Sequence, residues 1–154
     1  MASDILIDLS QIDLYARQID SDRVGEILLQ KGNMRHLDWV DETVTKAVGV
    51  KQVRDDEFWV EGHIPGRPLM PGVIMIEAAA QLASVVRQLK MGEEGFLAFT
   101  RCDNCVFRGQ VVPGDTLVLL AVEREGNRRR FVSRMQGLVN GKLVFEATIT
   151  GMRI

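Results

Sequence analysis

The chain has 154 residues, 46% hydrophobic and 26% charged, which suits one globular domain with a real core and argues against a disordered or fibrous protein. A formal net charge of −2 offers none of the concentrated positive charge that nucleic acid selects. No apolar run approaches the roughly 20 residues that cross a bilayer, and the N-terminal MASDILIDLSQIDLY carries acids where a secretory leader is basic. The expectation is a soluble cytoplasmic protein with no membrane and no nucleic-acid partner.

The first twenty residues have weak, mixed periodicity and read as a short helix or as an extension docked on the body. Residues 23–29 (RVGEILL) suggest a helical turn or two, capped from Asp20-Ser21-Asp22. After the turn-like Lys31-Gly32-Asn33, residues 37–53 form one segment rich in β-branched side chains. Asp55-Asp56 breaks it, and Phe58 and Val60 suggest another short strand that ends at His63. Residues 63–71 read HIPGRPLMP. Three prolines and a glycine in nine positions rule out a helix or a central strand and imply a stiff loop.

GVIMIEAAAQLASVVRQLK follows, with the length and alanine content of a helix, Pro71 near its start and Gly92 near its end. It is apolar nearly all round until Arg87, so burial on most sides is expected. The last third reads as strands over 96–107, 116–125, 129–139 and 142–152, broken at Pro113-Gly114-Asp115, Glu125-Gly126-Asn127 and the hairpin signal Asn140-Gly141. Long antiparallel strands and one greasy helix pack most simply as an α+β domain whose sheet curls around the helix. No repeat or linker divides the chain, so one domain over 1–154 is expected.

Few residues are equipped for chemistry. Cys102 and Cys105 make up half a typical zinc site at most. In a regular strand, residues three apart face opposite ways, so the pair reads as two ordinary strand cysteines. Of the two histidines, His36 has no obvious partner and reads as structural or exposed, whereas the proline-rich loop would hold His63 with little freedom left to lose. Glu77 lies within an apolar helix, where a carboxyl group tends to keep its proton, as a general acid must. A backbone or arginine partner in the core is the equally open alternative. Gly72, at the helix start, lets a ligand approach an N–H that has no acceptor within the helix. A thioester carbonyl aimed there would be polarised, unless Gly72 simply eases a turn.

These residues stand in a pattern that resembles the bacterial 3-hydroxyacyl-acyl-carrier-protein dehydratases of the hotdog fold: His63-Ile64-Pro65-Gly66-Arg67-Pro68-Leu69-Met70-Pro71-Gly72-Val73, then Glu77-Ala78 and Gln81. Leu37-Asp38 with Val40, Phe107 with Val111-Val112-Pro113-Gly114-Asp115, Asn140-Gly141-Lys142 and Glu146-Ala147 extend the likeness. It leaves out an N-terminal extension of residues 1–22. The resemblance implies that His63 takes a proton from the carbon beside the thioester carbonyl and that Glu77 protonates the departing hydroxyl. Gly72, Val73 and Phe107 would bind the substrate. It implies no metal and no other cofactor, and a homodimer, possibly assembled further as a trimer of dimers, in which His63 of one protomer meets Glu77 of the other. An acidic acyl carrier protein would dock on basic residues, Arg108 and Arg67 first, with Arg128-Arg129-Arg130 as a further cluster. Ile64 in place of phenylalanine, Arg101 in place of glycine, and Val106 and Gln110 all depart from the family pattern. Those at Arg101 and Val106 keep open a non-catalytic acyl-binding subunit, while the proline-rich loop with His63 and Glu77 argues against the other alternative, a hydratase or thioesterase acting on coenzyme A thioesters.

Overall fold

The structure, a computed structural model, describes residues 3–13, 16, 18–42, 46–92 and 95–154. Helix α1 (Ser21–Ile27) starts where the Asp20 carboxylate accepts the Arg23 N–H, the expected cap. The segment over 37–53 is two strands rather than one. β1 (Trp39–Glu42) and β2 (Lys46–Gln52) pair antiparallel, with Trp39 opposite Val50, and residues 43–45 lie outside the described residues. The strand expected around Phe58 and Val60 is absent. Local bonds from Val60 N–H to Glu57 O (3.0 Å) and from His63 N–H to Trp59 O (3.0 Å) wind these residues into turns.

Helix α2 (Gly72–Met91) has Pro71 at its N-cap and ends at Gly92, whose φ of 55° is the left-handed geometry glycine adopts freely. The remaining strands, β3 (Leu97–Phe107), β4 (Thr116–Gly126), β5 (Arg130–Val139) and β6 (Lys142–Arg153), fall within one residue of the sequence expectation. Asn140 and Gly141, with φ of 50° and 74°, turn β5 into β6. The sheet is antiparallel in the order β1-β2-β4-β5-β6-β3, with β3 at an open edge.

The sheet wraps α2, as the pattern of elements suggested. Leu82, Ala78 and Val85 on the helix meet Leu37, Leu117 and Leu119 in one core. The helix comes so near β2 that a Cβ on Gly49 would lie 2.7 Å from Leu37 and 3.0 Å from Leu82. Against the sequence reading, α2 is long and apolar enough to span a membrane, but half of that apolar stretch is buried within the domain. Arg87 is buried too, with Glu123 at 3.6 Å and its guanidinium over the Phe131 ring. Burial of α2 is incomplete on one side: Val73 is 68% exposed, and Glu77, Ala80 and Ser84 are half-buried along the same face.

The N-terminal extension is docked, and it forms a 3-10 turn (Leu9–Gln11) ahead of α1. Leu6, Ile7, Leu9 and Ile12 cover Val48, Val118, Leu120, Val122 and Leu138 on the face of the sheet opposite α2. Gln136, fully buried, ties the strap down by accepting the Leu6 N–H (2.8 Å) and donating to Asp4 O (2.9 Å). The near-continuous burial of β4 follows, since both its faces are covered.

Candidate active site

The loop over 59–71 holds His63 by short-range bonds. Arg67 N–H bonds Ile64 O (2.9 Å), Gly66 takes a φ of 78°, and Met70 N–H bonds Val111 O (2.8 Å), fastening the loop's end to the body. His63 Nδ1 lies 2.7 Å from Leu69 O. A carbonyl oxygen only accepts, so Nδ1 is the donor, and the lone pair of a neutral ring then falls on Nε2. The side chain is exposed. The bond fixes the ring and leaves Nε2 without a hydrogen bond among the described residues, the arrangement a general base needs.

The loop's other end is anchored by a pair that the sequence reading missed. Lys51 Nζ lies 2.7 Å from Glu57 Oε1, with side-chain exposures of 1% and 4%. Along β2, Lys51 shares its face with Ala47 and Gly49, toward the core, and this parity was the signal available in the sequence. His36 is fully buried beside the pair, which decides between the two sequence options in favour of a structural histidine. Burial first, then the Lys51 charge, holds its imidazole below the ordinary value of 6.5, so it stays neutral in the fold. Below about pH 6.5 the unfolded chain therefore takes up a proton that the folded chain resists. Wild type should lose thermal stability from pH 7.5 to pH 5 more steeply than His36→Gln, as followed by melting curves.

Glu77 is half-buried on α2, not sealed in the core. Its partner is Gln81, one turn later: Gln81 Nε2 donates to Glu77 Oε1 (2.9 Å) and to Met34 O (2.7 Å), while Gln81 Oε1 accepts the His36 N–H (2.7 Å). The Gln81 amide is thus fixed from three sides, and it leaves Glu77 Oε2 without a hydrogen bond among the described residues. Glu77 opens on a pocket of about 170 Å³ with Gln30, Ala80, Ser84, Phe96, Leu97 and Phe99 in its walls. His63 is not among that pocket's walls, and no hydrogen bond joins it to Glu77 within the chain.

Phe107 sits over the start of α2. A Cβ on Gly72 would lie 2.7 Å from Cζ of its ring, so the glycine admits the aromatic face beside the first free amide of the helix. Gly72→Ala should keep the fold, since alanine suits a helix and the half-exposed ring can swing away. Its kcat/KM for a thioester substrate should fall about 10–100-fold, somewhat less than the loss of a full oxyanion donor; steady-state kinetics on the folded variant check it. Among the docking candidates, Arg108 is engaged with Glu146, whose carboxylate it holds below the usual range and which also accepts from Ser3 Oγ (3.0 Å). Arg67 is exposed, its guanidinium 3.3 Å from Gln110 Oε1.

Residues 29–148 match the family model of the FabA-like domain. The chain belongs to the FabA-like family. Among the family's curated members, it is 40% identical to the 3-hydroxyacyl-[acyl-carrier-protein] dehydratase FabZ of Agrobacterium fabrum over 71% of this chain and 72% of that protein. It is 37% identical to the FabZ of Bacillus velezensis, over 86% of this chain and 96% of that one. The dehydratase heterocomplex ApeI:P from Xenorhabdus doucetiae shares the fold with a TM-score of 0.75 at 14% identity, over 90% of this chain and 93% of that chain. The family match begins after the strap.

Proposed function

We propose that this protein removes water from 3-hydroxyacyl thioesters carried on an acyl carrier protein, yielding trans-2-enoyl thioesters for fatty acid synthesis in the cytoplasm. The observation that carries the reading is His63, with Nδ1 held by Leu69 O and Nε2 free, in a chain of the FabA-like family. Nε2 takes the proton from the carbon next to the thioester carbonyl. The Gly72 N–H receives the carbonyl oxygen as charge builds there. Glu77 gives its proton to the hydroxyl, which leaves as water while the double bond forms. Val73 and Phe107 line the acyl chain's way in.

The two chemical groups come together when two copies pair along β3. Three features support this pairing. β3 is an edge strand with no partner on its outer side. Phe96, Phe99, Val106 and Phe107, in or beside it, are exposed apolar side chains, as is Val73 on the open face of α2. No hydrogen bond joins His63 to Glu77 within one chain, and His63 is not among the walls of the pocket on which Glu77 opens.

Hydration of a trans-2-enoyl thioester, followed by the loss of its ultraviolet absorbance, tests the activity. Turnover of the carrier-bound substrate is expected to exceed that of the coenzyme A thioester; hydrolysis of the thioester instead, or no reaction with either, overturns the reading. Arg67→Glu should raise KM for the carrier-bound substrate and leave a short free thioester unaffected, because a surface charge acts on docking and not on the chemistry. Equal effects on both substrates would remove Arg67 from the docking surface.

A further inference from the structure

The strand β3 is irregular at the point where its two cysteines lie. Asp103 pairs with Thr148 and Val106 with Glu146, so three steps along β3 match two along β6, and one extra residue bulges out. Asn104 takes the left-handed φ of 50° there, a conformation asparagine tolerates better than most residues. The extra residue reverses the parity expected from the sequence. Cys102, opposite the buried Ile149, and Cys105 both turn toward the helix side of the sheet, are half-buried, and pack on the same core. Both side chains thus face the same core across one bulge, and Cys105 helps to raise the Cys102 thiol.

We propose that Cys102 and Cys105 form a reversible intramolecular disulfide that locks the bulge of β3. A small-molecule disulfide such as oxidised glutathione is the oxidant. One cysteine sulfur, as thiolate, attacks it and releases one glutathione thiolate. The other cysteine sulfur then attacks the mixed disulfide, the S–S bond within the chain closes, and the second glutathione leaves. The two cysteine protons pass to the released thiolates, and the two electrons end on glutathione. The Cys102 thiol, pushed up to about 11 by burial and then by its neighbour, lacks the stabilised thiolate that keeps reactive dithiols reduced. The bridge is accordingly slow to close, and the bulge, by turning both cysteines to one side, favours closure in the fold over the unfolded chain. It also fixes the strand two residues before Phe107, whose ring rests against the start of α2.

Trypsin releases residues 102–108 as one peptide carrying both cysteines, between Arg101 and Arg108. The native protein, equilibrated in glutathione buffers, alkylated and digested, should yield this peptide unalkylated and two hydrogens lighter, with the thiols restored by dithiothreitol. Closure should reach its midpoint at a glutathione ratio at least tenfold more reducing than for the same chain unfolded in urea. Cys102→Ser should instead retain a single glutathione on Cys105. Equal midpoints for folded and unfolded chain, stable double glutathionylation, or links only between chains would each overturn the proposal.

Discussion

His63→Ala and Glu77→Gln are each expected to lower kcat/KM for enoyl thioester hydration by about a thousandfold, within the 10²–10⁴ that a positioned acid or base supplies. The bond between Nδ1 and Leu69 O also helps to shape the loop, so alanine alone would confound a lost base with a loosened loop. His63→Asn sets an amide N–H where Nδ1 stands and can still donate to that carbonyl but has no basic nitrogen, and it should be as inactive as alanine while melting close to wild type. Glu77→Gln keeps the side chain's size and its contact with Gln81, and removes the proton that the hydroxyl needs. If each site borrows from both copies, mixing the two inactive proteins restores activity. At random exchange half of the dimers are mixed and each has one intact site, so about a quarter of wild-type activity should return. Wild-type rates in any one variant would sink the assignment of that residue. Failure to recover despite proven exchange would sink the shared site but not the chemistry.

The largest effect on stability should come from Glu57→Gln. It leaves the Lys51 ammonium in the core without its counter-charge, and breaking a buried pair in this way costs about 3–5 kcal/mol. Because Glu57 stands just before the loop that carries His63, activity at moderate temperature should fall with it. Lys51→Met combined with Glu57→Leu removes both charges and should recover most of the stability, since an apolar pair of similar volume fits as well or better. Urea unfolding of the three proteins decides the matter. A single variant within about 1 kcal/mol of wild type would mean that water reaches Lys51 and the pair is not truly buried.

What could be read in advance was what short-range chemistry dictates. The prolines over 63–71, Pro71 and Gly92 at the ends of α2, and Asn140-Gly141 each constrain their own backbone, and the structure has them where they were expected. What escaped depends on distant partners. The segment over 37–53 is uniformly β-prone, and nothing in its propensity says that it folds back to pair with itself. Phe58 and Val60 look like a strand, but the neighbouring Glu57 is drawn to Lys51 and the chain coils into turns around it. A period of two assigned the cysteines to opposite faces, and one extra residue at Asn104 undid that assignment. The continuous apolar run in β4 hinted that both faces of the sheet are covered, but not that the chain's own first residues supply the second cover.

That second cover has a bearing on assembly. Without the strap, the outer face of β2, β4 and β5 would present Val48, Val118, Leu120, Val122 and Leu138 as one greasy plate, the kind of surface by which two sheets stack back to back. With the strap in place that plate is covered in the folded chain, and exposed apolar side chains lie instead at the β3 edge and on the open side of α2. The leading residues thereby act as a built-in chaperone for the sheet, keeping its stickiest surface engaged with its own chain and away from neighbouring copies.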